Sequence, residues 1–314
     1  MNSKQKIIIL GSTGFVGVNL LDALKTKFDI IAPVRSIPKS KALGVEYISL
    51  NDFWKDKIDC LGVINLVGKA HDLKNVSSED DYFKANVDFL KTSFDWFEKS
   101  SGKIFIHLSS VKAVCDHSNE MINSATIESP KTIYGVTKLK GDAWLEQNPI
   151  PGKTTVILRP SMIHGPGNKG NLNLLYSLIS KGIPYPLGSF ENKRSFLSVQ
   201  NLCFVVEEIL MRNEFPSGKF LLADKEPLST NQIVQIISNC LGKSPRIWFL
   251  NKRIVNFAAK FGDVLGLPVN SERLEKLTEN YTVDSSNLIK EIGQELPLTS
   301  FNGLSQTIKS FNEK

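Results

Sequence analysis

Cysteine is sparse in this chain. Its four copies, Cys60, Cys115, Cys203 and Cys240, lie far apart, and none falls into a C-x-x-C or zinc-like spacing. That excludes a disulfide framework and a sequence-local metal site, and it points to reduced thiols in a reducing compartment. Long apolar runs are also missing. The run that follows Lys4 and Lys6 meets glycine too soon for a signal peptide, and no segment is long enough to span a membrane. A cytoplasmic protein with no membrane partner is expected. Lys+Arg 38 against Asp+Glu 32 leaves a net charge of +6, with the basic residues scattered rather than clustered. No nucleic-acid partner is expected, and the mild positive balance suits an anionic small molecule. Internal repeats and low-complexity tracts are absent. What remains is an ordinary globular composition, 41% hydrophobic and 22% charged, in 314 residues that can bury a large core in two lobes.

The most informative stretch stands near the start. Lys6-Ile7-Ile8-Ile9-Leu10 runs into Gly11-Ser12-Thr13-Gly14-Phe15-Val16-Gly17, after which Val18, Leu21 and Leu24 take helical spacing. This reads as a buried strand, a tight turn and a helix N-terminus. Glycines let the backbone approach a pyrophosphate, and the free N–H groups of the helix receive its charge. A second strand, Asp29 to Ser36, ends in Val34-Arg35-Ser36 without the acid that holds the ribose 2′-hydroxyl of NAD. Arg35 can instead pair with the 2′-phosphate of NADP, so NADP is the expected cofactor and NAD the alternative.

Further strands follow at Val45–Leu50 and Cys60–Gly68, the latter apolar throughout as befits a strand covered on both faces. Its end, Leu66-Val67-Gly68, should border the cofactor, and His71 just beyond could reach nicotinamide or substrate. A helix over Tyr82–Lys99 carries Phe83, Val87, Leu90, Phe94 and Phe97 on one face, with Asn86 inside it. A strand over Lys103–Ser110 ends in two serines, and a helix over Ser129–Leu145 is expected to be capped by Ser129, with Pro130 in its first turn. A strand over Thr155–Pro160 completes an alternation that means a doubly wound parallel sheet of Rossmann type. Beyond it come a glycine-rich loop (His164–Asn171), a short helix (Leu172–Lys181), a strand (Arg194–Val199) and a helix (Leu202–Met211). More helices follow at Thr230–Leu241, Asn251–Leu265 and Arg273–Leu277. The expected division is a dinucleotide-binding domain over 1–165, rejoined by 194–225, and a smaller mixed lobe over most of 166–314.

Tyr134 and Lys138 share one helix face. A phenol with a pKa near 10 is a poor base at neutral pH, but a neighbouring ammonium, together with the positive nicotinamide, favours the phenolate and makes Tyr134 a usable acid/base. A serine at the end of the neighbouring strand, Ser110 or Ser109, is placed to hold the reacting oxygen.

Taken together, these stretches resemble an extended short-chain dehydrogenase/reductase of the nucleotide-sugar epimerase/dehydratase/reductase branch. The match is carried by Gly11 to Gly17, Asn65 to Gly68, Phe105 to Ser110, Tyr134-Gly-Val-Thr-Lys138, Leu158-Arg159-Pro160, Arg194 to Val199, Val283-Asp284 and Leu298 to Leu304. The resemblance implies Ser110, Tyr134 and Lys138 as catalytic residues. It implies a glycine loop that binds NAD(P), a C-terminal lobe that binds a nucleoside-diphosphate sugar, Arg194 on the diphosphate, Asn171 as a further substrate contact, and a possible homodimer. Two departures matter besides Arg35. Val111-Lys112-Ala113-Val114-Cys115 stands where epimerases and dehydratases commonly have Val-Tyr-Gly, and the Thr-Asp-Glu set of the 4,6-dehydratases is missing. That disfavours a dehydratase. With Arg35 favouring NADP, the preferred reading is reduction of a 4-keto nucleotide sugar. The alternative is a UDP-sugar 4-epimerase with tightly held NAD, and one site can support both.

Overall fold

The computed structural model describes residues 4–70, 78–168, 170–212, 214–265 and 270–311. Seven strands form one parallel sheet in the order β3-β2-β1-β4-β5-β6-β9. They are β1 (Lys6–Leu10), β2 (Asp29–Val34), β3 (Val45–Ser49), β4 (Gly62–Asn65), β5 (Ile104–Leu108), β6 (Thr154–Pro160) and β9 (Gly218–Leu222). A separate parallel pair joins β7 (Met162–His164) to β8 (Phe196–Ser198). The helices are α1 (Phe15–Leu24), α2 (Leu50–Phe53), α3 (Glu79–Phe83), α4 (Phe89–Lys99), α5 (Ile133–Gln147), α6 (Asn171–Ser180), α7 (Val199–Met211), α8 (Thr230–Cys240), α9 (Lys252–Leu265), α10 (Ser271–Thr278), α11 (Ser286–Ile292) and α12 (Ser300–Ser310).

The apolar strands are continuous because both faces of the sheet are covered. Alternate residues of β1 go to opposite cores. Ile7 and Ile9 pack with Leu20 and Leu24 of α1 and with Val205 and Ile209 of α7. Ile8 and Leu10 pack with Phe94 and Phe97 of α4, Phe105 of β5 and Leu145 of α5. A third core, with Ile179, Tyr185, Leu187, Val234, Ile237, Leu304 and Ile308, holds the C-terminal elements together. Strand order reverses between β1 and β4, so the crevice of this open sheet lies at their carboxyl ends, where the glycine turn and the loop after Asn65 emerge.

Several local expectations are corrected. Ser129 does not cap α5. Thr132 does, accepting from the Gly135 N–H at 3.2 Å. The helix starts there because buried Asp116 gathers three donors at its mouth: Lys131 N at 2.6 Å, Thr132 N at 2.9 Å and Thr132 Oγ1 at 2.7 Å. Pro130 therefore lies outside the helix. The helix expected over 82–99 begins at Glu79, capped by Ser78, and is interrupted by one π-helical turn, Lys84–Asp88. The strand expected over 194–199 narrows to β8, because the Ser198 hydroxyl accepts from Gln200 N and starts α7 at Val199. Leu50 likewise leaves β3 to begin α2 behind Ser49. Strand β9 and helices α11 and α12 are short or weakly patterned and were not anticipated. All four cysteines are free. Burial pushes the thiols of Cys60 and Cys203 up to about 11 and about 12, so both stay protonated. No helix among the described residues is long and apolar enough to cross a membrane.

The fold makes Asp116 responsible for where α5 begins, and so for the height of Tyr134. Burial pushes its carboxyl up, but the hydrogen bonds from Thr132 and Lys131 outweigh this and hold it below the ordinary range. Asp116→Ala should cost about 2–3 kcal/mol, the scale of hydrogen bonds to a buried charge, read from the urea midpoint. An unchanged midpoint would rule out this role.

Candidate active site

The glycine turn is built for close backbone approach. Gly11 sits at φ +82°, where a side chain is strained, and a Cβ there would lie 3.1 Å from the backbone of Leu66 and Val67. At Gly17 a Cβ would lie 2.4 Å from Gly11 O, so only glycine lets α1 seat on the turn. No side chain caps α1 at Gly14. The first N–H groups of the helix, at Phe15, Val16 and Gly17, therefore keep the donors and the dipole that suit a pyrophosphate. The buried Ser12 hydroxyl has no hydrogen-bond partner among the described residues. Thr13 is exposed on the same turn. These features fit a dinucleotide.

Across the crevice, Lys138 is buried on α5. Its ammonium donates to Leu108 O at 2.8 Å. The loop after β4 passes close over the ammonium, and a Cβ on Gly68 would come within 2.8 Å of Lys138 Nζ and push it aside. Burial pulls the Lys138 pKa down to about 8, against the upward pull of Asp142 one turn away. Tyr134, half-buried, shares a side-chain hydrogen bond with Ser110. Burial raises its phenol and the Ser110 bond only partly offsets this. The lowering expected from sequence belongs to Lys138 together with a positive nicotinamide, and in the protein alone burial dominates.

The two serines point to different partners. Ser110 leaves β5, accepts from Lys112 N at 3.2 Å and meets Tyr134. Ser109 turns inward and donates to Asp142 Oδ2 at 2.8 Å. Arg159 Nε reaches the same carboxylate oxygen at 2.8 Å, and Arg159 Nη1 reaches Glu128 at 2.6 Å. Neighbouring His107 is kept neutral by burial, its pKa well below the ordinary value.

The remaining sequence candidates are spread along the rim. Arg35 is exposed just past the end of β2. Asn171 is exposed at the first residue of α6. Arg194 is fixed by backbone bonds to Leu228, and its Nη2 pairs with Glu279 at 2.7 Å. His71 lies outside the described residues. Three further residues escaped the sequence reading as site residues. Buried Asn86 accepts from Lys69 N at 2.8 Å and donates to Thr137 at 2.9 Å, tying the loop after β4 to α5. The π-helical turn centred on it is the local distortion that accompanies this reach. Its signal was a polar residue set within an apolar helical stripe. Lys112, in the departing segment, lies over the Tyr281 ring at 4.1 Å and within the fields of Glu279 and Arg194. Asp142, four residues past Lys138, was detectable only as an acid on the same helix face.

Burial of Lys138 has a measurable consequence. Its folded pKa of about 8 lies below the ordinary 10.5. Between these values the unfolded chain binds the extra proton, so stability rises with pH. The penalty is present in full below about 8 and is relieved as pH climbs towards 10.5. Lys138→Met should be more stable than the parent near pH 7, and its advantage should shrink by about 2–4 kcal/mol by pH 10.5. Urea unfolding of both proteins at the two pH values checks this; parallel pH curves would refute it.

This combination of glycine turn, Ser110, Tyr134 and Lys138 has clear relatives. A family model, the NAD dependent epimerase/dehydratase family, matches residues 7–220. A UDP-glucose 4-epimerase from Vibrio cholerae is 30% identical over 98% of this chain and 95% of its own length. An N-acetyl-α-D-glucosaminyl-diphospho-ditrans,octacis-undecaprenol 4-epimerase from Escherichia coli O157:H7 is 23% identical over 96% of this chain and 94% of its own. Among solved structures, a UDP-glucuronic acid 4-epimerase from Bacillus cereus in complex with NAD superposes with a TM-score of 0.76. It is 17% identical, with 98% of this chain and 96% of that one covered, a likeness of fold. The chain thus belongs to the NAD-dependent epimerase/dehydratase family, within the extended short-chain dehydrogenases/reductases.

Proposed function

We propose that the protein is an NAD-dependent 4-epimerase of a diphosphate-linked sugar, with a UDP-sugar as its substrate. The observation that carries this is the meeting of Ser110, Tyr134 and Lys138 beside the glycine turn, in a chain similar end to end to a UDP-glucose 4-epimerase. Gly11, Thr13, Gly14, Phe15, Val16 and Gly17 hold the pyrophosphate of the dinucleotide. Leu66, Val67 and Gly68 line its other side. Bound NAD supplies the redox partner that removes and returns hydrogen at the sugar carbon. Tyr134 takes the hydroxyl proton from the sugar and later gives it back, acting as base and then acid at one oxygen. Ser110 hydrogen-bonds that oxygen and the phenol. Lys138 holds positive charge beneath the site and offsets the cost of the phenolate. Arg194 presents a guanidinium to the diphosphate, exchanging its Glu279 contact for phosphate oxygens. Asn171, on the opposite rim, is a second substrate contact.

Reduction of a 4-keto sugar by NADPH, the preferred reading from sequence, rests on Arg35. That side chain is exposed beyond β2, where solvation alone accounts for a charge. The full-length similarity to epimerases favours a cofactor that ends each cycle unchanged. Purified protein given NAD and UDP-glucose, UDP-galactose or UDP-N-acetylglucosamine should interconvert C4 epimers with no net change in NADH absorbance. Stoichiometric loss of NADPH on a 4-keto nucleotide sugar, without epimer exchange, would overturn the proposal. Tyr134→Phe should lower the rate by about 10²–10⁴-fold, the scale of general acid/base catalysis, with dinucleotide binding retained. Full activity in that variant would remove Tyr134 from the mechanism.

A further inference from the structure

The C-terminal lobe carries a second functional surface. Helix α9 has two apolar faces. One is turned inward, with Ala259 buried and Val255 half-buried against the lobe's core. The other carries Ile254, Phe257 and Phe261 within an arc of roughly 60° at about 100° per residue, and it faces solvent. Phe257 is 73% exposed and Ile254 66%. The segment leading into the helix adds Trp248 and Phe249, the latter 71% exposed. Their backbone is rigidly paired, Trp248 N donating to Tyr185 O at 2.8 Å and Gly188 N to Trp248 O at 3.0 Å. The rings are therefore held outward by structure. Exposed apolar rings in this density mark an interaction site.

The charges around these rings identify the occupant. From Lys243 to Lys260 the chain has five basic residues, Lys243, Arg246, Lys252, Arg253 and Lys260, and no acidic one. All five are exposed. At about 100° per residue Arg253 and Lys260 flank the Ile254–Phe257–Phe261 stripe on α9, while Lys243 and Arg246 donate to Ser180 O at 2.6 Å and Gly182 O at 3.1 Å. Aromatic and aliphatic side chains flanked by Lys and Arg are the composition of a helix lying in a membrane interface. We propose that residues 246–261 form a docking surface that seats the protein on a bilayer bearing anionic headgroups. The rings enter the headgroup–acyl boundary and the cations pair with headgroup phosphates. Among the described residues no helix is long and apolar enough to cross a membrane, and the contact proposed is adsorption. The surface connects to the catalytic cleft through α10. Asn192 Nδ2 donates to Leu277 O at 3.2 Å, and Glu279, just beyond, pairs with Arg194. The inference does not depend on the epimerase reading.

The test is co-sedimentation of the full chain with vesicles of phosphatidylglycerol and phosphatidylcholine in equal amounts, and of phosphatidylcholine alone. Binding to the anionic vesicles, at least fivefold above the neutral ones and weakened by salt, is expected. Phe257→Ser with Phe261→Ser, and separately Arg253→Glu with Lys260→Glu, should each lower it at least fivefold while leaving turnover of a soluble substrate unchanged. Fluorescence gives a readout on protein with its surface rings intact: the blue shift on adding anionic vesicles should disappear in Trp248→Phe. No sedimentation with anionic vesicles would overturn the proposal. So would aromatic variants that bind vesicles as well as the parent while breaking up a dimer, which would assign the surface to a second copy of the chain.

Discussion

One buried ammonium organises the catalytic end of this protein. Lys138 lies beneath the crevice where the loops after β4 and β5 leave the sheet, donating to Leu108 O and passing under Gly68. A charge in that position is tolerable only with partners arranged around it. Asp142, one helical turn along, supplies the nearest opposite charge and is shared with Ser109 and Arg159. Arg159 in turn reaches Glu128, which also takes Lys219 at 2.9 Å. Positive and negative groups thus alternate from the site to the far side of the sheet. Arg159 is the member both carboxylates depend on, and removing it would leave Asp142 without its paired cation, which is why such networks hold their geometry firmly.

The same economy governs the rim. Asp116 sets where α5 starts, and Asn86 binds the loop after β4 to the middle of that helix. Tyr134 and Lys138 are therefore referenced to β4 and β5 at once, and their alignment with the glycine turn follows from strand register, Ile9 opposite Ile64 and Ile64 opposite Ile106. Burial raises the Tyr134 phenol in the protein by itself. Its proposed use as a base depends on positive charge near the oxygen, to which the buried Lys138 ammonium contributes. The chemistry is completed by the charge distribution of the loaded site, and the protein contributes position.

The C-terminal lobe answers a different requirement. Its core is separate from the two cores of the sheet, so its outer helices can vary without disturbing Tyr134 or Lys138. Helix α9 shows that freedom, with one face buried in the lobe and an apolar face left open. Arg194 and Glu279 stand where lobe and sheet meet, linking a surface suited to partners to a site suited to chemistry.

Periodicity and glycine spacing by themselves determined six of the seven strands of the sheet, the glycine turn and the shared helix face of Tyr134 and Lys138, because these are local patterns: continuous apolar runs, G-x-x-G-x-x-G, and a four-residue helical repeat. The family was reached by a different route, the resemblance of whole motifs such as Phe105 to Ser110 and Arg194 to Val199. Tertiary structure decided what depends on residues distant in sequence. It gave Ser110 to Tyr134 and Ser109 to Asp142, replaced Ser129 by Thr132 as the cap through Asp116, and placed Asn86 against Lys69 and Thr137. Each of these rests on a hydrogen bond formed only when separated segments pack, and a linear pattern carries no record of which polar group finds which.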